Sequence, residues 1–173
     1  MVLAIQDYHE PSPEKDLLKQ KREEMKVSDY LDPRCILFFK SEERDAALKE
    51  LVDVLFHYGK IEEVESFYQA VLDREELVST GVGMQVAIPH AKKDTFKDFF
   101  IAVGIQKEHP IEWHSLDKAP VRLVFLIGGP ENKQTKYLKI LSSLTQVIKD
   151  EKVRKKLLNV NSAEEFMEIF SDF

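Results

Sequence analysis

The 173-residue chain predicts an α/β (α+β) fold, a three-layer α/β/α arrangement around a mixed β-sheet, and three observations carry that expectation. FFIAVGI (Phe99 to Ile105) and VRLVFLI (Val121 to Ile127) are almost wholly apolar, as strands covered on both faces must be. Stretches with the helical apolar period lie before and after them, so helices are available for both faces. Val82, Met84, Val86 and Ile88 alternate with other residues up to Pro89, the pattern of a half-buried strand. The expected order is strand, two helices, three strands, three helices.

Each element has its own local warrant. Residues 1–27 stand apart as a charged N-terminal extension, with Ser12-Pro13-Glu14 starting a helix through KDLLKQKREEMK. That arm is read either as a solvated extension or as a partner-binding segment, and residues 28–173 as the main domain. CILFF (Cys35 to Phe39) reads as a strand. Ser41 is the expected cap of a helix with Glu42 and Glu43 in its first turn. Ala47, Leu48, Leu51, Val52 and Leu55 form its apolar face, and Gly59 stops it. Val64, Phe67, Tyr68, Val71 and Leu72 repeat the spacing in a second helix that ends near Arg74.

HPIEWHSLDKAP joins the two apolar strands as a loop, with an extended piece at Ile111 to Trp113 and a turn at Asp117. After Gly128-Gly129-Pro130 the helical period returns at Leu138, Leu141, Leu144 or Thr145, and Ile148. A short helix follows near Val153 to Leu158. The last begins at Ser162, with Glu165 completing a capping box, and buries Phe166, Ile169 and Phe170.

Composition narrows the function. A net charge of −6 without a basic block argues against nucleic acid as main partner and suits docking to a basic protein. The longest apolar run, LVFLIGG, is far short of a membrane span, and MVLAIQDYHE lacks the basic leader of a secretory signal. A single cysteine, Cys35, forbids an internal disulfide and fits a reducing cytoplasm. It is either a buried small hydrophobe or a reactive thiol. His9, His57, His109 and His114 form no metal-ligand spacing with one another or with Cys35, and Gly128-Gly129 lacks a Walker lysine. No cofactor is therefore expected.

The segment STGVGMQVAIPHAKKD (Ser79 to Asp94) raises a chemical question. Pro89 has no N–H and usually marks a strand end, which would place His90 at the mouth of the sheet. A neutral imidazole attacks a phosphoryl group through one nitrogen when the other is held by a hydrogen bond. Positive charge or N–H donors must then meet the phosphoryl oxygens, and Arg74 and Thr80 are the candidates. Taken alone, His90 reads better as an incidental surface histidine.

STGVGMQVAIPH, PIEW, PVRLVFLIGGP and KYLKILSSL together resemble the enzyme IIA domains of the bacterial phosphoenolpyruvate-dependent sugar phosphotransferase system. The resemblance is to the fructose/mannitol class with its stand-alone nitrogen-regulatory members, and covers roughly Ser28 to Phe170. It implies the three-layer fold. It also implies that His90 accepts phosphate from the histidine phosphocarrier protein, with Arg74 as the active-site arginine and Ser79, Thr80 and Gly81 as the adjoining turn. Two positions depart from the family pattern. Ala91 stands where glycine is usual, so a positive φ there would require a different loop. Tyr137 stands where a second histidine usually lies beside the first; its hydroxyl either donates a hydrogen bond at the site or the ring only packs.

Three readings follow from the resemblance. His90 phosphorylation serves regulation by changing which target protein docks, or it feeds a IIB domain in sugar uptake, or the chain is a degenerate binding module without phosphorylation. The missing second histidine inclines the balance to regulation, since a switch tolerates slow turnover better than a flux carrier does.

Overall fold

A computed structural model describes residues 25–173; the helix expected from Ser12 onward lies outside the described residues. A 3-10 turn, Val27–Tyr30, leads into β1 (Leu31–Phe38). Two helices follow, α1 (Arg44–His57) and α2 (Val64–Leu77). Three short strands come next: β2 (Gly81–Gly83), β3 (Val86–Ala87) and β4 (His90–Lys92). Then come β5 (Phe100–Ile105) and β6 (Leu123–Gly129), followed by α3 (Gln134–Lys149), α4 (Glu151–Leu158) and α5 (Ala163–Phe170). Val27, assigned to the extension by sequence, is fully buried, so the packed body already includes it.

The sheet runs β1-β5-β6-β3-β2, with β4 also paired to β6. β5 and β6 are antiparallel, while β1 on β5 and β3 and β4 on β6 are parallel. Side-chain alternation along β5 and β6 builds two cores. Ile101, Val103, Ile105, Leu123, Phe125 and Ile127 pack under α3 and α5, against Ile140, Leu144, Phe166 and Phe170. Phe100, Ala102, Val124 and Leu126 face α1 and α2, against Leu48, Leu51, Phe67 and Val71. A strand covered by helices on both faces has no side to leave polar, which is why these segments read as continuous apolar runs.

Several local expectations are corrected. The single alternating strand ending at Pro89 is in fact three short strands. Met84 and Gln85 take φ of 58° and 65°, a two-residue hairpin turn between Gly83 and Val86. No Asn-Gly signal marks it. The turn is held from outside, where Asp117 Oδ2 accepts the Met84 N–H at 3.0 Å and the Gln85 carbonyl accepts from Arg122 and Leu123. Pro89 interrupts the strand, as expected, but does not end the pairing. Val86↔Leu123, Ala87↔Val124, His90↔Ile127, Ala91↔Gly128 and Lys92↔Gly129 keep one register across it. The Pro89 carbonyl still accepts the Ile127 N–H at 3.0 Å, so only a donor is lost. Ala91 lies within β4 and is not among the residues of positive φ, so glycine is not required there.

Ser41 does not cap α1. The helix starts three residues later, and Glu50 reaches back to accept from the Ser41 N–H at 2.8 Å and the Ser41 hydroxyl at 2.6 Å. α2 runs one turn beyond Arg74. The buried face of α3 is Tyr137, Ile140, Leu144, Val147 and Ile148, while Leu138 is half exposed, so the expected face is turned toward the neighbouring positions. Ser162 caps α5 as expected, accepting the Glu165 N–H, but the Glu165 carboxylate returns to the Asn161 N–H. Among the described residues no helix is long and apolar enough to cross a membrane.

Candidate functional site

His90 opens β4 and points to the α3 face of the sheet, in step with Val86 and Ile88. β2 pairs only with β3, so beyond it the outer flank of β4 carries no strand and His90 stays partly open to solvent. Arg74, in the last turn of α2, reaches this open flank.

The two ring nitrogens of His90 have different partners. Nδ1 lies 3.3 Å from the Ile88 carbonyl oxygen, and the Arg74 Nε–H donates to Nε2 at 3.2 Å. A carbonyl can only accept and a guanidinium can only donate. Both contacts are therefore satisfied by one species: a neutral ring with its proton on Nδ1 and a lone pair on Nε2 facing Arg74. The electrostatics agree. Burial lowers the His90 pKa below its ordinary 6.5, the Arg74 and Lys92 charges lower it further, and the Ile88 carbonyl opposes them. Arg74 is itself held by donation from Nη1 to the Val78 carbonyl at 3.0 Å.

Tyr137 meets His90 ring to ring, with centroids 5.6 Å apart and planes tilted by 49°. It is 6% exposed and also stacks on Phe99, so it forms a wall of the site rather than a helix-surface aromatic. Burial raises its pKa, so the hydroxyl is neutral. The sequence did not single out Lys92, two residues along the same strand face. Its Nζ sits 3.6 Å over the Tyr137 ring and donates to Gln134 Oε1 at 2.7 Å. The alternation of a strand puts residues i and i+2 on one face, and that signal was available in HAK.

Thr80 lies in the turn between α2 and β2, as expected, but its side chain does not turn to His90. It is buried, and its hydroxyl donates to Glu75 Oε2 at 2.5 Å while its N–H donates to Glu75 Oε1 at 2.8 Å. The Trp113 Nε1–H donates to the same hydroxyl at 3.3 Å. With its proton committed, Thr80 has none to give a phosphoryl oxygen, and the expectation of a direct ligand is withdrawn. Glu75, 2% exposed, escaped sequence reading altogether, because nothing in DREEL distinguishes a buried glutamate from solvated neighbours.

Among the described residues, the other histidines lie apart from this cluster. His109 pairs with Glu42 and His114 with Glu112, each at 3.6 Å. Cys35 is fully buried, and burial pushes its thiol up to about 11, which makes it a small hydrophobe and not a nucleophile. Among the described residues no group of three or more His, Cys, Asp or Glu is placed to hold a metal ion. Leu77 and Val78, at the end of α2 beside Arg74, are exposed apolar side chains, as are Val82 in β2 and Leu116 in the loop before β6.

A family model described as the phosphoenolpyruvate-dependent sugar phosphotransferase system, EIIA 2, matches residues 29–173. The chain is 34% identical over 148 residues to a Bacillus subtilis protein named PTS system fructose-specific EIIABC component, covering 85% of this chain but only 23% of that one. It is 31% identical over 153 residues to the nitrogen regulatory protein homolog of Haemophilus influenzae, covering 84% and 91%. Among solved structures, the nitrogen regulatory protein IIA-Ntr of Neisseria meningitidis superposes with a TM-score of 0.77 at 28% identity, covering 83% and 98%. The mannitol IIA of Escherichia coli gives 0.69 at 26% identity, covering 80% and 97%.

Proposed function

Because the chain belongs to the EIIA 2 family of the phosphoenolpyruvate-dependent sugar phosphotransferase system, we propose that His90 is the residue at which it carries a phosphoryl group, received from the histidine phosphocarrier protein in the cytoplasm. The observation that carries this assignment is the split environment of the ring, with Arg74 on Nε2 and the Ile88 carbonyl on Nδ1. In the transfer, the Arg74 Nε–H shifts its hydrogen bond from Nε2 to a phosphoryl oxygen, and the freed Nε2 lone pair attacks phosphorus in line with the donor's own phosphorus–nitrogen bond. The new bond forms as that bond breaks, and the donor imidazole recovers its electron pair. No proton need move. The His90 ring becomes formally cationic with its proton still on Nδ1, where the Ile88 carbonyl faces it. Arg74 and Lys92 supply positive charge to the phosphoryl oxygens. Tyr137 supports Lys92 and walls the ring without adding charge.

The output we favour is regulatory, as the names of two of the relatives indicate for those proteins: a phosphoryl group held on His90 changes the charge of the surface that a target protein meets. The neutral, buried Tyr137 favours this reading, since it brings no second titratable imidazole to the site. The alternative is transfer onward to a IIB domain in sugar uptake. Incubation with phosphoenolpyruvate, enzyme I and the phosphocarrier should add one acid-labile phosphoryl group by intact mass, absent in His90→Ala. No adduct on the wild-type protein would overturn the proposal and leave a binding module. Rapid discharge to an added IIB domain would select transport, and persistence of the adduct would select regulation.

A further inference from the structure

Glu75 is a nearly buried carboxylate for which the phosphoryl-transfer scheme has no use, and its partners lead back to the histidine. Both of its oxygens are occupied by Thr80, one by the main-chain N–H and one by the hydroxyl. The Thr80 hydroxyl in turn accepts from Trp113, whose carbonyl accepts the Ser79 hydroxyl at 2.8 Å. The Thr80 carbonyl accepts the Ile88 N–H at 3.0 Å. The Ile88 carbonyl is the group that faces His90 Nδ1. On the other side, Glu75 follows Arg74 directly in α2, so the same carboxylate anchors the helix end from which the guanidinium reaches Nε2. One closed circuit thus ties both partners of the ring to a single buried carboxylate.

We infer that Glu75 and Thr80 are positioning residues that select which nitrogen of His90 is reactive, by clamping the end of α2 to the strand that presents the Ile88 carbonyl. Neither touches the phosphoryl group. Their effect travels through two groups that do face the ring. If the clamp loosens, the carbonyl and the guanidinium no longer hold opposite sides of the imidazole, and the ring is free to place its proton on either nitrogen. A carboxylate suits this role because both of its oxygens accept, one from the Thr80 N–H and one from the Thr80 hydroxyl, whereas an amide has one acceptor atom and would reverse the bond to the hydroxyl. This inference rests on His90 as the phosphorylated residue, but its first test does not.

The test uses Thr80→Val, which keeps the side-chain shape, Thr80→Ser as the conservative rescue, and Glu75→Gln as a second disruption. Nitrogen-15 NMR of labelled histidine reads the tautomer above the His90 titration. The wild-type protein and Thr80→Ser are expected to show the proton on Nδ1, and Thr80→Val and Glu75→Gln a mixture with the Nε2–H form. Phosphorylation rates are expected to fall about 10- to 100-fold in the two disrupted proteins, the scale of a small misplacement of a reacting group. Phosphorus NMR should show phosphoryl appearing on Nδ1 as well. A folded Thr80→Val or Glu75→Gln protein with wild-type tautomer and rate overturns the inference. A wild-type protein that accepts no phosphoryl group overturns the proposed function instead, while the tautomer measurement still decides the clamp.

Discussion

Replacing Arg74 by methionine removes the guanidinium but keeps most of the stem, and its effect follows from where the charge sits. Nε lies 3.2 Å from the attacking nitrogen, so the charge stands close to any phosphoryl group bound there. A unit charge at about 4 Å in an effective dielectric of about 20 is worth about 4 kcal/mol. The site is half open, and solvent on that side reduces the usable part to about 2 kcal/mol. That corresponds to a rate lower by roughly thirtyfold. The assay is single-turnover transfer from phosphorylated carrier protein, quenched at short times. It should be run near pH 8, where His90 is neutral in both proteins, so that removing a neighbouring charge cannot act through protonation. Arg74→Lys retains charge without the fixed fork and should recover only part of the loss. If Arg74→Met transfers within twofold of wild type at saturating donor, the guanidinium is not stabilising the phosphoryl group and the reasoning fails.

The remaining predictions use other groups. The reactive form is the neutral ring, and its pKa is lowered, so transfer should fall as pH drops, with a half-maximum below 6.5. Arg74→Met should move that midpoint upward; a midpoint above 6.5 in the wild-type protein, measured by NMR titration, would contradict the assigned surroundings. Lys92→Met should slow transfer several-fold, and Tyr137→His should change the lifetime of the adduct, because an ionisable ring replaces the platform under Lys92. Equal adduct lifetimes would remove Tyr137 from the chemistry. Phe166→Ala empties a fully buried position against Phe125 and Phe170 and should cost about 3–5 kcal/mol in urea unfolding, with transfer per folded molecule unchanged.

Much of the fold was legible because it is written in periodicity. The apolar runs of β5 and β6 and the spacing in α1 and α2 show in the order of the residues alone, and the Ser162 cap is set by a neighbour three residues on. The misreadings share the opposite property. The Met84-Gln85 turn has no turn-forming residue and depends on Asp117, and Ser41 looked like a cap but is bonded by Glu50. Pro89 looked like a strand end, yet parallel pairing with β6 continues past it through its carbonyl. In each case a distant partner outbid a local preference.

The same division runs through the site. By itself the sequence determined the chemistry on offer: an imidazole beside a proline, an arginine sixteen residues before it, and two departures from the family pattern at Ala91 and Tyr137. Only the tertiary structure decided what each group does. It moved Thr80 from the phosphoryl group to Glu75, brought Lys92 onto Tyr137, and gave the two nitrogens of His90 an acceptor and a donor. Residue type sets which bonds a side chain can make, and that is readable from a letter. Which bonds it does make depends on what the fold delivers within about 3 Å, and helix α2, the central strand and α3 must all pack before those distances exist.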